Sequence, residues 1–281
     1  MCGLFGDRPG RDRVPASIHP GGEARPVLPA YVINLDRRPD RLASISENLE
    51  RTGVAWERVR AIDGLDLRGT KWLDRASLAC SLSHRKAMRM LLDSPHPAAL
   101  ILEDDAEAGE DTPKFLESVD WWPRDHGLLK LDSPAGPWLL GPGCGGAPTG
   151  RALHEIPYWG ILATGYLIHR DAAEAVLASP DCAFHPIDAV MFHLGWSRTA
   201  RRLRPLWVVP AVVRPRRALG SDIERHRKGV RLKKERRAAK FLFEVKVTLR
   251  RLSGGVRRQE IPYRARMPGE GDIREDARGV S

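Results

Sequence analysis

Residues Ala98-Ala99-Leu100-Ile101-Leu102 form a short aliphatic run that ends in Glu103-Asp104-Asp105. Bounded by Pro97 and by three carboxylates, the run predicts a buried strand whose C-terminal end meets solvent. Adjacent acids repel one another, so the arrangement costs stability unless a cation or a positive side chain compensates them. Carboxylates at the carboxyl edge of an α/β sheet stand where such folds place ligands. A hard divalent ion, Mn²⁺ or Mg²⁺, completed by phosphate oxygens suits that chemistry. The competing reading is a strand followed by a solvated acidic turn.

The flanking sequence supports a sheet. Tyr31-Val32-Ile33-Asn34-Leu35 reads as a first strand, and the polar turn Asp36–Arg41 leads into a helix with Pro39 in its first turn. Leu42, Ile45 and Leu49 share one face of that helix, and Gly53 ends it. Val54–Ile62 reads as a second strand closed by Asp63-Gly64. A second helix begins at Ser81–Ala87, capped by Ser81 or Ser83, with Leu82, Met88, Leu91 and Leu92 on its buried face. The acidic strand follows, and strand–helix–strand–helix–strand is the order of a parallel α/β sheet. Further on, Gly127–Leu131 is a weaker strand and Asp132–Gly150 a long Gly/Pro-rich loop. Ile161–His169 is a strand containing Gly165, and Asp171 caps a short alanine-rich helix carrying Val176 and Leu177. Leu206–Val213, interrupted by Pro210, reads as an edge strand.

Composition sets outer bounds. The chain has 281 residues and no apolar run near the ~18–20 residues that span a bilayer. Residues 1–28 are rich in Gly, Pro and Arg and read as a flexible leader without the apolar core of an export signal. Cys2, Cys80, Cys144 and Cys182 show no zinc-type spacing and are expected as reduced thiols, Cys80 and Cys182 in the core and Cys144 in a loop. Between Arg225 and Arg251, twelve Lys/Arg stand against two Glu, a net of ten that equals the charge of the whole chain. The body is therefore electrically balanced, which argues against a nucleic-acid surface spread over the fold.

Several polar constellations remain open between a structural and a chemical reading. Asn34–Arg41 offers guanidinium groups at a helix N-terminus, a setting that binds phosphate oxygens, or is a solvated turn. Ser83-His84 places a hydroxyl and an imidazole near a helix start. Asp188, after Pro186-Ile187, is a helix cap or a general base for a hydroxyl nucleophile. Lys130 and Asp132 contact a substrate or pair with each other at the surface. Gly165 marks close approach of a backbone or a ligand.

Taken in order, these segments resemble glycosyltransferase family 25. The resemblance is carried by Tyr31–Leu42, Ala61-Ile62-Asp63-Gly64, Cys80-Ser81-Leu82-Ser83-His84-Arg85, Leu100–Asp105, Thr164–Ile168 and Pro186-Ile187-Asp188, with Pro210 and Ser221-Asp222-Ile223 extending it. It implies a GT-A-type nucleotide-sugar transferase fold, a mostly parallel mixed sheet flanked by helices, over residues 29–224. The basic stretch 225–281 would then be a C-terminal helix or tail. Asn34 and Leu35 would line the nucleotide pocket, Arg38 and Arg41 approach the diphosphate, and Asp63 lie beside the nucleoside. Ser83 and His84 join the donor side, Glu103-Asp104-Asp105 stand for the DxD motif, and Glu103 and Asp105 hold Mn²⁺ or Mg²⁺. Asp188 is the implied catalytic base. The chain departs from the family pattern at Ser77-Leu78-Ala79 and at Leu131-Asp132, both of which bear on sugar choice.

The expectation is an inverting, metal-dependent transfer of a hexose, galactose first, from a UDP-sugar to a hydroxyl of a glycan or glycolipid. The setting is lipopolysaccharide or cell-envelope polysaccharide synthesis at the cytoplasmic side. Residues 225–251 would contact an anionic membrane surface, with a nucleic-acid arm and a solvated tail as the other readings. A non-enzymatic basic adaptor on a degenerate transferase fold and a metal-dependent nucleotide-sugar hydrolase are the alternatives.

Overall fold

All five residues of strand β1 (Ala30–Asn34) are buried, because the strand lies between two parallel neighbours. In the computed structural model, which describes residues 27–132, 137–216 and 255–266, these neighbours are β2 (Trp56–Arg60) and β3 (Ala98–Glu103). Helices α1 (Pro39–Thr52) and α2 (Arg75–Leu92) make the two crossovers, as the sequence order predicts. Gly53 ends α1 at φ 73°, a left-handed position that glycine accepts without strain. Helix α2 starts earlier than expected. Its cap is Asp74, whose carboxylate accepts from the amides of Ala76 and Ser77, and Ser81 and Ser83 lie inside the helix on its buried side.

The later strands are β4 (Ala106–Ala108), β5 (Leu128–Lys130), β6 (Pro137–Leu140), β7 (Gly143–Ala147), β8 (Arg151–Glu155), β9 (Gly165–His169), β10 (Leu206–Val209), β11 (Val213–Pro215) and β12 (Arg257–Glu260). Helices α3 (Arg170–Leu177), α4 (Ile187–Phe192) and α5 (Arg198–Leu203) complete the set. Eight strands form one mixed sheet in the order β2-β1-β3-β9-β5-β10-β8-β7. Strand β9 is antiparallel to β3 and β5, β10 is parallel to β5, and β8 is antiparallel to β10 and β7. Consequently β1, β3 and β5 end at one edge of the sheet, and β9 begins there.

Strand alternation divides the core in two. Tyr31, Ile33, Ala99 and Ile101 pack with Met88 and Leu91 of α2, Val176 of α3 and Val190 of α4. Ala30, Val32, Leu100 and Leu102 pack on the other face with Ile45 and Leu49 of α1 and with Phe115. This is the period-two pattern of strands covered on both faces.

Four further expectations change. The stretch 132–150 is not one long loop: β6 pairs with β12, and β7 with β8. Its glycines and prolines conceal one strand, β6, whose partner lies far away in sequence, and another, β7, that turns directly into its partner β8. Leu206–Val213 is two strands rather than one edge strand. Pro210 falls between them, so β10 keeps its amides and sits inside the sheet, while β11 pairs with β4. Helix α3 follows His169 without a side-chain cap, and Asp171 instead lies in its first turn, where a carboxylate favours the helix dipole. Residues 257–260, assigned from the sequence to the tail beginning at 225, form β12. Arg151 ties the segment after it to the body through Nη2 to the Arg264 carbonyl at 2.7 Å. Residues 1–26 of the leader, the basic stretch 225–251 and Ser221-Asp222-Ile223 lie outside the described residues.

The close approach expected at Gly165 comes from side chains. A Cβ there would stand 2.7 Å from Val213 Cγ1 and 3.0 Å from Leu102 Cδ2. Gly165→Ala should therefore cost about 1–3 kcal/mol through overpacking, measured by urea unfolding. Pairing it with Val213→Ala should give a loss smaller than the sum of the two single losses, because the second change makes the room the first one needs.

Candidate active site

Asn34 closes β1 and is wholly engaged by protein groups. Its Nδ2 donates to Asp104 Oδ2 at 2.8 Å and to the Arg38 carbonyl at 3.0 Å. Its Oδ1 accepts from Arg58 Nε at 3.0 Å and Nη2 at 2.8 Å. Asn34 thus joins the end of β1 to the acids after β3. Leu35 follows it, half-buried, and its carbonyl accepts from the Arg38 amide at 2.9 Å.

The three acids have three different environments. Asp104 is 6% exposed and accepts from Arg41 Nη1 at 2.7 Å as well as from Asn34. Burial holds its carboxyl above the ordinary range, with Arg41 and Asn34 pulling the other way. It is an internal brace, not a solvated turn residue. Asp105 lies 3.8 Å from Arg41 Nη1. Its Oδ1 is buried and has no hydrogen-bond partner among the described residues. Burial first, and then repulsion from Glu103, push its pKa up to about 7, against the pull of Arg41. Glu103 has a side chain 25% exposed. Burial raises its carboxyl, but hydrogen bonds from His84 and Cys80 outweigh that and leave it below its ordinary value.

His84 is fully buried on α2, with Nε2 3.2 Å from Glu103 Oε1 and Nδ1 2.9 Å from the Tyr166 hydroxyl. Cys80, one helical turn earlier, has Sγ 3.7 Å from the same oxygen. Burial, followed by the negative charges of Glu103 and Asp188, raises its thiol well above the usual range. The charge of Asp188 is thus felt at the Cys80 thiol. Asp188 Oδ2 accepts from the Leu162 amide at 3.2 Å, and the residue stands in the first turn of α4, with Pro186 at the cap.

Other residues implied by the resemblance are occupied locally. Asp63 accepts from Arg37 Nε at 2.5 Å and from the Leu65 amide at 2.9 Å. Burial raises its carboxyl, but those two partners bring it below the usual value. Arg38 pairs with Asp40 at 2.8 Å. Ser83 accepts from the Ile62 amide at 2.9 Å and donates to the Ala79 carbonyl at 2.7 Å, so it fastens the Asp63 turn to α2. Arg58, Cys80 and Tyr166 join the site without having been singled out for it. The Cys80–His84 spacing of four residues, one face of a helix, was the available signal.

Residues 27–133 match the family described as Glycosyltransferase family 25 (LPS biosynthesis protein). Over this stretch the chain is similar to that family. The stretch takes in every candidate named above up to Asp132 and leaves Asp188 outside. The chain is 28% identical over 185 residues to the lacto-N-neotetraose biosynthesis glycosyltransferase LgtB of Neisseria meningitidis serogroup B, covering 58% of this chain and 66% of that protein. It is 26% identical over 199 residues to LgtE of the same organism, covering 63% and 69%. The chain thus spans just under two thirds of the length of the LgtB that it matches. A crystal structure of a glycosyltransferase involved in the glycosylation of the major capsid of PBCV-1 aligns with a TM-score of 0.40 and 11% identity, covering 71% of this chain and 96% of that one.

Within the matched stretch, the departure at Leu131-Asp132 has a structural account. Lys130 and Asp132 pair as one reading expected, but fully buried rather than at the surface. Asp132 Oδ2 also accepts from the Thr164 amide at 2.9 Å, and Lys130 Nζ donates to the Leu162 carbonyl at 2.7 Å. The pair thereby holds the loop that leads to β9 and that supports Asp188.

Proposed function

We propose that the chain is an inverting, metal-dependent hexosyltransferase. It moves a hexose, galactose first among the candidates, from a UDP-sugar to a hydroxyl of a glycan or glycolipid in lipopolysaccharide or cell-envelope synthesis. The observation that carries the proposal is the buried, unpartnered Oδ1 of Asp105 near Glu103, past the carboxyl end of β3, where α/β sheets commonly place ligands. An orphaned carboxylate oxygen is costly unless a cation or donor meets it, and oxygen donors suit Mn²⁺ or Mg²⁺. Asp105 and Glu103 would hold that ion, which when bound stabilises negative charge on a departing diphosphate.

The chain's own groups have separable tasks. Arg41 and Asn34 fix Asp104, and so fix the backbone that presents Asp105. The Arg37–Arg38 turn brings guanidinium groups to the N-terminus of α1, where phosphate oxygens are favoured. Asp188, oriented by the Leu162 amide, takes the proton from the acceptor hydroxyl. The names of the Neisseria relatives support a glycan acceptor. Among the described residues no helix is long and apolar enough to cross a membrane; contact with an anionic surface through 225–251, on the cytoplasmic side, belongs to the proposal.

Thermal shift with UDP tests it, because a ligand bound only by the folded state raises apparent stability. UDP should raise Tm only when Mn²⁺ is present, and Asp105→Asn should abolish the rise. Asp188→Asn should keep UDP binding and lower turnover by about 10²–10⁴-fold. A UDP shift indifferent to both Mn²⁺ and Asp105 would sink the proposal, and equal release of free sugar with and without acceptor would replace it with hydrolysis.

A further inference from the structure

We infer that Cys80, His84 and Glu103 form a binding site for a borderline-soft divalent cation of the Zn²⁺ class, with a fourth position open toward solvent. The inference rests on geometry; it shares Glu103 with the proposed transfer but takes its other ligands, Cys80 and His84, from α2. Cys80 and His84 lie four residues apart on one face of α2, and Glu103 ends the adjacent β3. Sγ of Cys80, a ring nitrogen of His84 and a carboxylate oxygen of Glu103 all lie within 4.8 Å of one another. Tetrahedral Zn²⁺, with bonds of about 2.0–2.3 Å to such atoms, sets ligand pairs roughly 3.4–3.6 Å apart. The observed separations are 3.7 Å for sulfur to oxygen and 3.2 Å for nitrogen to oxygen. Two of the three pairs thus already stand near coordination distance, and the third, sulfur to nitrogen, lies within 4.8 Å.

Two further features fit a cation. Asp105 and Asp188 add negative charge around the thiol, beyond that of Glu103. The Tyr166 hydroxyl, 2.9 Å from His84 Nδ1, supplies the outer partner that a metal-bound imidazole uses to fix its ring. Without an ion, the Cys80 thiol and the His84 Nε2–H both donate to Oε1 of Glu103, and Tyr166 donates to Nδ1. On binding, the thiol releases its proton to solvent. The imidazole proton moves from Nε2 to Nδ1, where it donates to the Tyr166 oxygen. One proton is released per ion, and the metal forms bonds to sulfur, nitrogen and oxygen without redox change. Thiolate with imidazole selects Zn²⁺ or Co²⁺ over Mn²⁺ and Mg²⁺.

Co²⁺ added to the metal-stripped full-length protein under reducing, thiol-free conditions tests the site without reference to catalysis. A near-ultraviolet thiolate-to-cobalt charge-transfer band should appear, with one proton released per ion, and stoichiometric Zn²⁺ should displace it. Cys80→Ser should abolish the band. A variant with Cys2, Cys144 and Cys182 all replaced by Ser should retain it, and there Cys80 is the only thiol that can give it. Tyr166→Phe should keep the band and weaken binding by about 10–100-fold, as loss of an outer partner does. No band in the wild type, a band that survives Cys80→Ser, or its loss from the folded triple variant would each overturn the inference. If Cys80→Ser does not fold, the wild type and the triple variant still decide. Asp105→Asn should retain the cobalt band while losing Mn²⁺-dependent UDP binding, so failure of the transfer proposal and failure of this one give different results.

Discussion

Asp105→Asn is expected to raise folding stability at pH 8 while abolishing the response of the protein to Mn²⁺ and UDP. The carboxyl of Asp105 moves from an ordinary 3.8 to about 7 in the folded protein, chiefly through burial and then through Glu103. Below pH ~4 it is protonated in both the folded and unfolded chain and has no effect on their balance. As pH rises toward 7, the unfolded chain ionises freely while the folded one does so only at a cost, so stability falls. Above 7 the full cost persists. At about 1.4 kcal/mol for each tenfold change in proton affinity, the upper limit is roughly 4 kcal/mol, and on the order of 2–4 is expected for Asn in urea unfolding at pH 8. At pH 4 the variant and the wild type should nearly coincide. Mn²⁺ should stabilise the wild type more at pH 8 than at pH 5.5, because the ion competes with a proton for the same oxygen. A variant less stable than wild type at pH 8 would mean that Asp105 is a satisfied structural carboxylate, and the metal role assigned to it would go.

The carboxylate edge and the first half of the sheet were legible because their signals are local. Pro39 and Gly53 delimit α1, alternating apolar residues mark β1, and a continuous aliphatic run marks β3. The family resemblance then placed Asn34, Arg41 and the acids in one site, and the structure brings Asn34 and Arg41 within hydrogen-bond distance of Asp104. What stayed hidden depends on pairing between distant segments. Nothing local says that β9 inserts antiparallel between β3 and β5, or that Gly165 clears space for Val213. Differences within the acidic triplet were equally invisible, since adjacent carboxylates look alike until Asn34 and Arg41 claim Asp104 and His84 and Cys80 claim Glu103. Cys80 read as a core thiol because its partner Glu103 is 23 residues away. Lys130 and Asp132 share one strand face by alternation, but a charged pair reads as surface when burial is unknown, and only the sheet places it inside.

That buried pair leads to the second large effect. Lys130→Met is expected to cost about 3–5 kcal/mol of folding stability, as removal of one member of a buried ion pair does. Asp132 is fully buried, and burial already raises its carboxyl against the pull of Lys130. Without the lysine it keeps only neutral partners, the Thr164 amide among them. The ammonium also lies 4.9 Å from the Phe192 ring centroid, so packing against α4 is lost as well. Turnover should fall further than substrate affinity. Lys130 holds the carbonyl of Leu162, a non-glycine residue at φ 68°, and the amide of that residue orients Asp188. A left-handed leucine persists only where its surroundings over-determine it, so release of its carbonyl lets the peptide relax and withdraws the donor from Asp188. Lys130→Met/Asp132→Asn should recover part of the stability, because no charge is then left buried, yet kcat should stay low since Leu162 is still unheld. Urea unfolding and steady-state kinetics on the single and double variants separate the two effects. Full recovery of kcat in the double variant would show that the lysine acts through charge balance alone, and would remove Leu162 from the support of Asp188.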